Sequence, residues 1–330
     1  MGRIFQTLGL CVGLSLSAAQ AGAENWTCRH ASVQDGLTGA YVEGIEDIAW
    51  DKSRNRLYLS AYNRRAEGAY GAIYALDFSS LDKVNLTVTP LEAAGSLRPH
   101  GVTYHQDRLW AIDRQNLAHP VLREFKVSDL TLEDVSQQGG DAICHANDIA
   151  IAKGQVFVTN DRNPCTGFKA WFAQIFGTAS GQVKVAGDKW RPLGSELNFP
   201  NGIAPWKDGL LISATRANVL YYLSFDGQIL NEVELDYAPD NLSIGDDGAV
   251  YFTGFDSLIG YAWFRSDKSN REDAPSHVFR MSADGEVDEL ALLPENLPAG
   301  ATVAIRVQNK LIIGSAFDHG LGVCTLKDGQ

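Results

Sequence analysis

The chain has 330 residues, a formal net charge of −12, a pI near 5.0 and 45% hydrophobic residues. Its densest cationic spot is the pair Arg64-Arg65, so it lacks the basic face that a phosphate backbone requires and nucleic acid is excluded as a partner. The acidic balance suits an exported protein or one that holds cations, and by itself decides neither.

At the N-terminus, Arg3 gives a positive start, residues 4–19 are mostly apolar, and Ala19-Gln20-Ala21 offers a small-x-small cleavage site. Residues 1–21 therefore read as a signal peptide, and the protein as exported, secreted or periplasmic. About 16 residues of helix reach only ~24 Å, short of the ~30 Å hydrocarbon core. No other stretch could span a bilayer. Removing the leader removes Cys11 and leaves Cys28, Cys144, Cys165 and Cys324. An even number in an exported chain favours disulfides. Cys28 and Cys324 lie just outside the first and last repeats described below, so a bond between them would join the two ends. Cys144 and Cys165 are candidates for a second bond.

From residue 44 onward one unit recurs: a polar head, a short alternating strand, a turn, and a second apolar strand. Glu46-Asp47-Ile48-Ala49-Trp50 leads to Leu57-Tyr58-Leu59, and His100-Gly101-Val102-Thr103 to Leu109-Trp110-Ala111-Ile112. Asn147-Asp148-Ile149-Ala150 leads to Val156-Phe157-Val158, and Asn201-Gly202-Ile203-Ala204 to Leu210-Leu211-Ile212. Asp240-Asn241-Leu242-Ser243 leads to Val250-Tyr251-Phe252, and Thr302-Val303-Ala304-Ile305 to Leu311-Ile312-Ile313. A period of roughly 40–50 residues built from short strands and turns marks a β-propeller. The expected fold is all-β: a six-bladed β-propeller spanning residues 22–330 as a single domain. Residues 24–43 should supply an outer strand that completes the last blade.

One segment breaks the pattern. Phe168, Trp171, Phe172, Ile175 and Phe176 fall on one helical face. It is either a helix packed on the propeller or a lid over the channel mouth, and as an apolar lid it could also make peripheral contact with a membrane.

Equivalent positions in successive blades meet at one end of the central channel, so Glu46, His100, Asn147, Asn201, Asp240 and Thr302 should form a ring. Glu46, Asn147, Asn201, Asp240 and Asn241 are all oxygen donors, and their two carboxylates balance one divalent ion. That donor chemistry selects Ca²⁺. Asp47, Asp148 and the Val102 carbonyl lie one step deeper and could hold a second, structural Ca²⁺. No nucleophile elbow, H-E-x-x-H pair or phosphate loop is present.

These residues resemble the paraoxonase (arylesterase/lactonase) family of six-bladed, two-calcium propellers. The likeness covers roughly residues 26–326. It rests on Glu46-Asp47, Pro99-His100-Gly101, Asn147-Asp148-Ile149, Thr159-Asn160-Asp161, Asn201-Gly202-Ile203, Asp240-Asn241-Leu242-Ser243, Lys310-Leu311-Ile312-Ile313-Gly314 and the terminal cysteines. The resemblance implies hydrolysis of lactones and aryl esters, a catalytic calcium on the first donor set, a structural calcium on the second, and a lid around Trp171. His100 falls on the family's proposed catalytic histidine. The chain departs from the family at the second histidine, where the matching position is Gln115; His119 is four residues away, beyond reach without a register change, and His145, on the strand face of Asn147, is the candidate substitute.

The expected chemistry is attack of water on a cation-polarised carbonyl, with His100 as base. Direct attack by Asp240 is the alternative. Two further readings stay open: a sugar lactonase of the regucalcin/gluconolactonase type, and a non-catalytic calcium-stabilised propeller that binds a ligand.

Overall fold

The computed structural model describes residues 25–93, 96–116, 119–167 and 178–327. Its strands run in chain order as β1 (Trp26–Asp35), β2 (Ile45–Asp51), β3 (Arg56–Ala61), β4 (Ala72–Asp77) and β5 (Asn85–Pro90). Next come β6 (Pro99–His105), β7 (Arg108–Asp113), β8 (Val121–Ser128), β9 (Thr131–Gly139), β10 (Ala146–Ala152), β11 (Gln155–Asn160), β12 (Gly181–Val185) and β13 (Arg191–Leu197). Then follow β14 (Pro200–Trp206), β15 (Gly209–Ala214), β16 (Val219–Ser224), β17 (Ile229–Glu234), β18 (Ala238–Ile244), β19 (Val250–Phe255), β20 (His277–Met281) and β21 (Val287–Glu289). The series ends with β22 (Ala301–Val307), β23 (Lys310–Ser315) and β24 (Leu321–Leu326).

Four sheets are four-stranded meanders: β6 to β9, β10 to β13, β14 to β17 and β18 to β21. The fifth has eight strands in the order β2-β3-β4-β5-β1-β24-β23-β22. Strand β1 joins its two halves, pairing antiparallel with β24 and parallel with β5. The expected outer strand from residues 24–43 is therefore present, and it also bridges to the first meander. The Cys28–Cys324 disulfide links direct cross-strand partners of β1 and β24, and Cys144–Cys165 is bonded as well.

The first strands of the repeats touch in sequence, β2 to β6, β10, β14, β18 and β22, and β22 returns to β2. Hydrophobic clusters fill the spaces between neighbouring sheets. Ile112 and Leu122 meet Ile149 and Val158, Ala150 and Phe157 meet Ile203 and Ile212, and Val303 and Ile312 meet Ile48 and Leu59. The inner strands are thus covered on both faces, β15 along its whole length, while outer strands such as β9 and β17 are largely exposed. The backbones of adjacent first strands approach closely. A Cβ on Gly101 would lie 2.3 Å from the Asn147 carbonyl oxygen, and one on Gly202 would lie 2.8 Å from Asn241 Cα.

Among the described residues one α-helix occurs, α1 (Leu258–Arg265), between β19 and β20. Ser257 caps it by accepting the Gly260 N–H at 3.0 Å. Phe264 is buried with Ala274 and Ala299, and Tyr261 stacks on Phe255 at 3.9 Å between centroids. No helix among the described residues is long and apolar enough to cross a membrane. The expected lid, Phe168, Trp171, Phe172, Ile175 and Phe176, lies outside the described residues, as does the leader.

Candidate functional site

Alternation along a strand sends consecutive side chains to opposite faces, yet Glu46-Asp47, Asn147-Asp148 and Asp240-Asn241 were each expected to face the channel together. A bulge resolves this. Every first strand shifts register at its head: between Ile45 and Asp47, Pro99 and Val102, Ala146 and Ile149, Pro200 and Ile203, Pro239 and Leu242, and Ala301 and Val303. The extra residue re-aims its neighbours, a common device beside functional sites. Hydroxyls on the second strands satisfy the displaced amides. Ser60 Oγ accepts the Asp47 N–H (3.2 Å), Thr159 Oγ1 that of Asp148 (2.9 Å), and Ser213 Oγ that of Gly202 (2.7 Å). Sequence reading missed these hydroxyls, although the shared position of Ser60, Thr159, Ser213 and Thr253 in the repeat is their signal.

The structure brings the first donor set together. Glu46, Asn147, Asn201, Asp240 and Asn241 are all buried. Asn241 Nδ2 donates to the Glu46 carbonyl and to Glu46 Oε1, both at 3.1 Å, and Thr302 Oγ1 donates to the same carbonyl at 3.0 Å. Asn147 Nδ2 donates to Asp161 Oδ1 at 3.0 Å, and Asn201 bonds the Asp240 side chain. With the amide nitrogens spent on neighbours, Glu46 Oε2, Asn201 Oδ1 and Asn241 Oδ1 remain buried without a hydrogen-bond partner, and Asn147 Oδ1 makes no well-aligned bond and has only the His100 ring near it; these are four oxygens in all. A buried acceptor left unmade costs about 1–3 kcal/mol, and four of them on four bulged strand heads are the mark of an oxygen cradle. Among the described residues no three histidine, cysteine or carboxylate side chains gather as a metal group; this cradle is built largely of amides, which suit a hard cation.

The electrostatics point the same way. Burial, followed by the Glu46 charge, holds the Asp240 carboxyl well above the usual carboxylate range. Burial raises Glu46 too, against the pull of Arg64 and the Asn241 bond. Asp161, which sequence reading quoted only as part of a motif, is pushed up to about 6 by burial, opposed by Arg114 and Asn147.

The second donor set has another character. Asp47 Oδ1 and Oδ2 accept the N–H groups of Ile48 (2.8 Å) and Val102 (2.6 Å). Asp148 repeats this with Ile149 (2.6 Å) and Ile203 (2.8 Å). Each carboxylate clasps its own strand to the next. Burial and the Glu46 charge push Asp47 up to about 8, and burial with the Asp47 charge holds Asp148 well above the usual carboxylate range. Both carboxylates, with Val102, line a channel cavity of about 240 Å³ that extends past Trp50, Tyr104 and Ile305.

His100 is buried, with Nδ1 between Glu46 Oε2 (3.4 Å) and an Arg64 guanidinium nitrogen (3.2 Å). The guanidinium can only donate, so Nδ1 accepts from Arg64 and Nε2 carries the proton, with the Asn147 side chain as its hydrogen-bond partner. Burial, then Arg114 and Arg64, lower His100 well below its ordinary range. None of the three side chains weighed as its partner serves it. Gln115 donates to the Ser96 carbonyl (2.8 Å), His119 faces Asp141 (3.2 Å), and His145 faces Arg162 (3.5 Å). The neighbouring residue, Arg114, turns to the ring instead and donates to the Ala146 carbonyl. Isolated arginines such as Arg114, and a surface pair such as Arg64-Arg65, read as solvated in sequence, and nothing in the residue types alone places them at the ring.

No family model matches the chain, and no curated protein matches it. Solved structures do. A luciferin-regenerating enzyme superposes with a TM-score of 0.57 at 12% identity, covering 91% of this chain and 95% of its own. A gluconolactonase from Xanthomonas campestris gives 0.55 at 15% identity, over 92% and 98%. The calcium-binding protein regucalcin from Agrobacterium tumefaciens gives 0.54 at 14%, over 89% and 95%. At such identities the likeness shows the fold. None of these three is a paraoxonase.

Proposed function

We propose that the protein is an exported, calcium-dependent lactonase on a six-bladed propeller. The eight-stranded sheet counts as two blades joined through β1. The observation that carries the reading is the set of four buried side-chain oxygens without well-aligned hydrogen bonds at the heads of β2, β10, β14 and β18. Glu46, Asn147, Asn201, Asp240 and Asn241 would hold the ion, which when bound supplies polarisation of a carbonyl and stabilisation of the oxyanion. The chain's own part is to keep these oxygens preorganised and to handle a proton. Water adds to the lactone carbonyl carbon, the ring C–O bond breaks, and a proton from the water ends on the leaving alkoxide. His100 is the proton carrier in this reading, through Nδ1 once it is released from the Arg64 guanidinium that it accepts from; Asp240 as a nucleophile is the other route.

The gluconolactonase and regucalcin neighbours support a sugar lactone as substrate better than an aryl ester. Two particulars favour the paraoxonase-like variant: the paired Asp47 and Asp148, and the Cys28–Cys324 bond across the ends of the chain. A structural calcium between Asp47, Asp148 and the Val102 carbonyl belongs to that variant. Its support is the burial of two like charges, since all four carboxylate oxygens already accept a backbone N–H. Membrane contact rests on residues 168–176 alone.

The test is turnover of glucono-δ-lactone, aliphatic γ- and δ-lactones, acyl-homoserine lactones and phenyl acetate, with and without chelator. Chelator-sensitive lactone hydrolysis is expected. Preference for gluconolactone selects the sugar variant, and preference for alkyl lactones with phenyl acetate selects the other. A protein that turns over none of them, yet melts higher with calcium, is a binding propeller.

A further inference from the structure

Antiparallel pairing returns each second strand to the end of the channel where the first begins. Ile45 faces Ala61, Pro99 faces Asp113, Ala146 faces Asn160, Pro200 faces Ala214 and Ala238 faces Phe255. Residues that follow these second strands therefore emerge around the cation cradle. Arg64, Arg114, Arg162 and Arg216 occupy those segments in four successive repeats, and Arg265 ends α1 in the fifth. A chain of net charge −12 thus crowns its acidic cradle with guanidinium groups.

Two of them stand closest to the donors. Arg64 touches His100 Nδ1 and otherwise donates to carbonyls of Gly44 (2.8 Å), Pro99 (3.3 Å), Tyr62 (3.4 Å) and Ala316 (3.5 Å). Its Nε is buried without a hydrogen-bond partner. Arg114 donates to the carbonyl of Ala146, the residue before Asn147. Both are half-buried, and neither forms an ion pair with a carboxylate among the described residues. Elsewhere the chain does pair its arginines: Arg54 with Asp51 (2.8 Å) and Asp107 (2.9 Å), and Arg306 with Asp247 (2.9 Å). Withdrawing a guanidinium from water is costly; the Glu46 charge acts on Arg64, and the Asp161 and Glu46 charges on Arg114, and a divalent ion in the cradle would cancel the Glu46 share. A guanidinium fits a planar anion best; Arg114 spends Nε and one terminal nitrogen on the single Ala146 carbonyl and keeps its other terminal nitrogen for the anion, while Arg64 would exchange its longer carbonyl contacts for it.

We propose that the substrate is an anionic lactone, one bearing a free carboxylate, and that Arg64 and Arg114 receive that carboxylate while the ring carbonyl faces the cradle. This deepens the lactonase reading and rests on it. The two arginines are specificity residues, and they select a class that neither neutral sugar lactones nor neutral alkyl lactones represent.

The experiment compares kcat/KM of the calcium-loaded full chain on 5-oxotetrahydrofuran-2-carboxylate and on the carboxamide of the same ring. A parallel arm compares 6-phosphoglucono-δ-lactone with glucono-δ-lactone. The carboxylate should be preferred at least about tenfold, the preference should shrink with added salt, and Arg64→Gln and Arg114→Gln should each cut the ratio about tenfold. The wild-type ratio and its salt dependence decide the matter even if a variant fails to fold. Equal rates on both partners overturn the inference and leave the lactonase reading standing; the arginines then only balance the acidic ring. Preference confined to the phosphorylated lactone overturns the carboxylate assignment. If no lactone is turned over, the lactonase reading fails, and calorimetry on the calcium-loaded protein decides this one. The dicarboxylate 2-hydroxyglutarate should bind at least about tenfold tighter than 4-hydroxypentanoate, and equal binding refutes it.

Discussion

The carboxylate of Asp47 crosses from β2 to accept the Val102 N–H of β6 at 2.6 Å. Asp148 makes the same reach from β10 to Ile203 of β14, across the same sequence separation of 55 residues. The first strands are therefore tied by side chains from within, in addition to the apolar clusters between sheets. Asp47→Ala strands two buried amides and should cost about 2–5 kcal/mol. Urea unfolding in excess chelator measures this apart from any loss of bound ion, and a change under about 0.5 kcal/mol would show the clasp to be idle.

The same carboxylates set an unusual pH dependence. Asp47, pushed up to about 8 by burial and the Glu46 charge, and Asp240, raised by the same two causes, bind more protons folded than unfolded. Groups raised in this sense stabilise the fold as pH falls through the folded value toward the unfolded one, and stability is lost as pH rises through about 8. The chelated protein should accordingly melt higher at about pH 6 than at about pH 8. Calcium should displace those protons and lift the melting temperature most at the higher pH. Melting curves at both pH values, with and without calcium, check the sign. A chelated protein that gains stability with rising pH would refute the assignment.

Substitution at the cradle should separate chemistry from folding. Glu46→Gln and Asp240→Asn keep the shape but remove the charge that balances the ion, so kcat/KM on the best lactone should fall by about 10²–10³-fold or more. Wild-type rates in both would remove the cation from the reaction. His100→Gln tests the proton carrier separately, and an unchanged rate assigns that task to another group, with Asp240 first in line.

The Cys28–Cys324 bond closes a separation of 296 residues. On the chain-entropy account a loop of this size contributes about 6 kcal/mol. The double variant Cys28→Ser/Cys324→Ser should lose several degrees in melting temperature while β1 still pairs with β24. An unchanged melting temperature would mean that the strand pairing alone holds the ends together.

Much of this was legible in the chain because the repeat is written in local terms. Each polar head precedes an alternating strand, so the equivalence of Glu46, His100, Asn147, Asn201 and Asp240 is readable from spacing alone. The terminal strand and its cysteine were legible for the same reason. The bulges were not, since a register shift depends on the partner strand, and without them Glu46 and Asp47 should point to opposite faces. Helix α1 escaped notice because eight residues, with Ile259 and Trp263 exposed and only Phe264 buried, carry no clean apolar stripe. Arg64 and Arg114 escaped because position in the fold, and not residue type, places them at the rim.

Diffraction from crystals grown with calcium tests the central claim most directly. The account predicts an ion bound by Glu46, Asn147, Asn201, Asp240 and Asn241 with oxygen distances of about 2.3–2.6 Å, and with Glu46 Oε2 and the three amide oxygens among its ligands. Density for calcium elsewhere, with those four oxygens turned to waters or to one another, would contradict it.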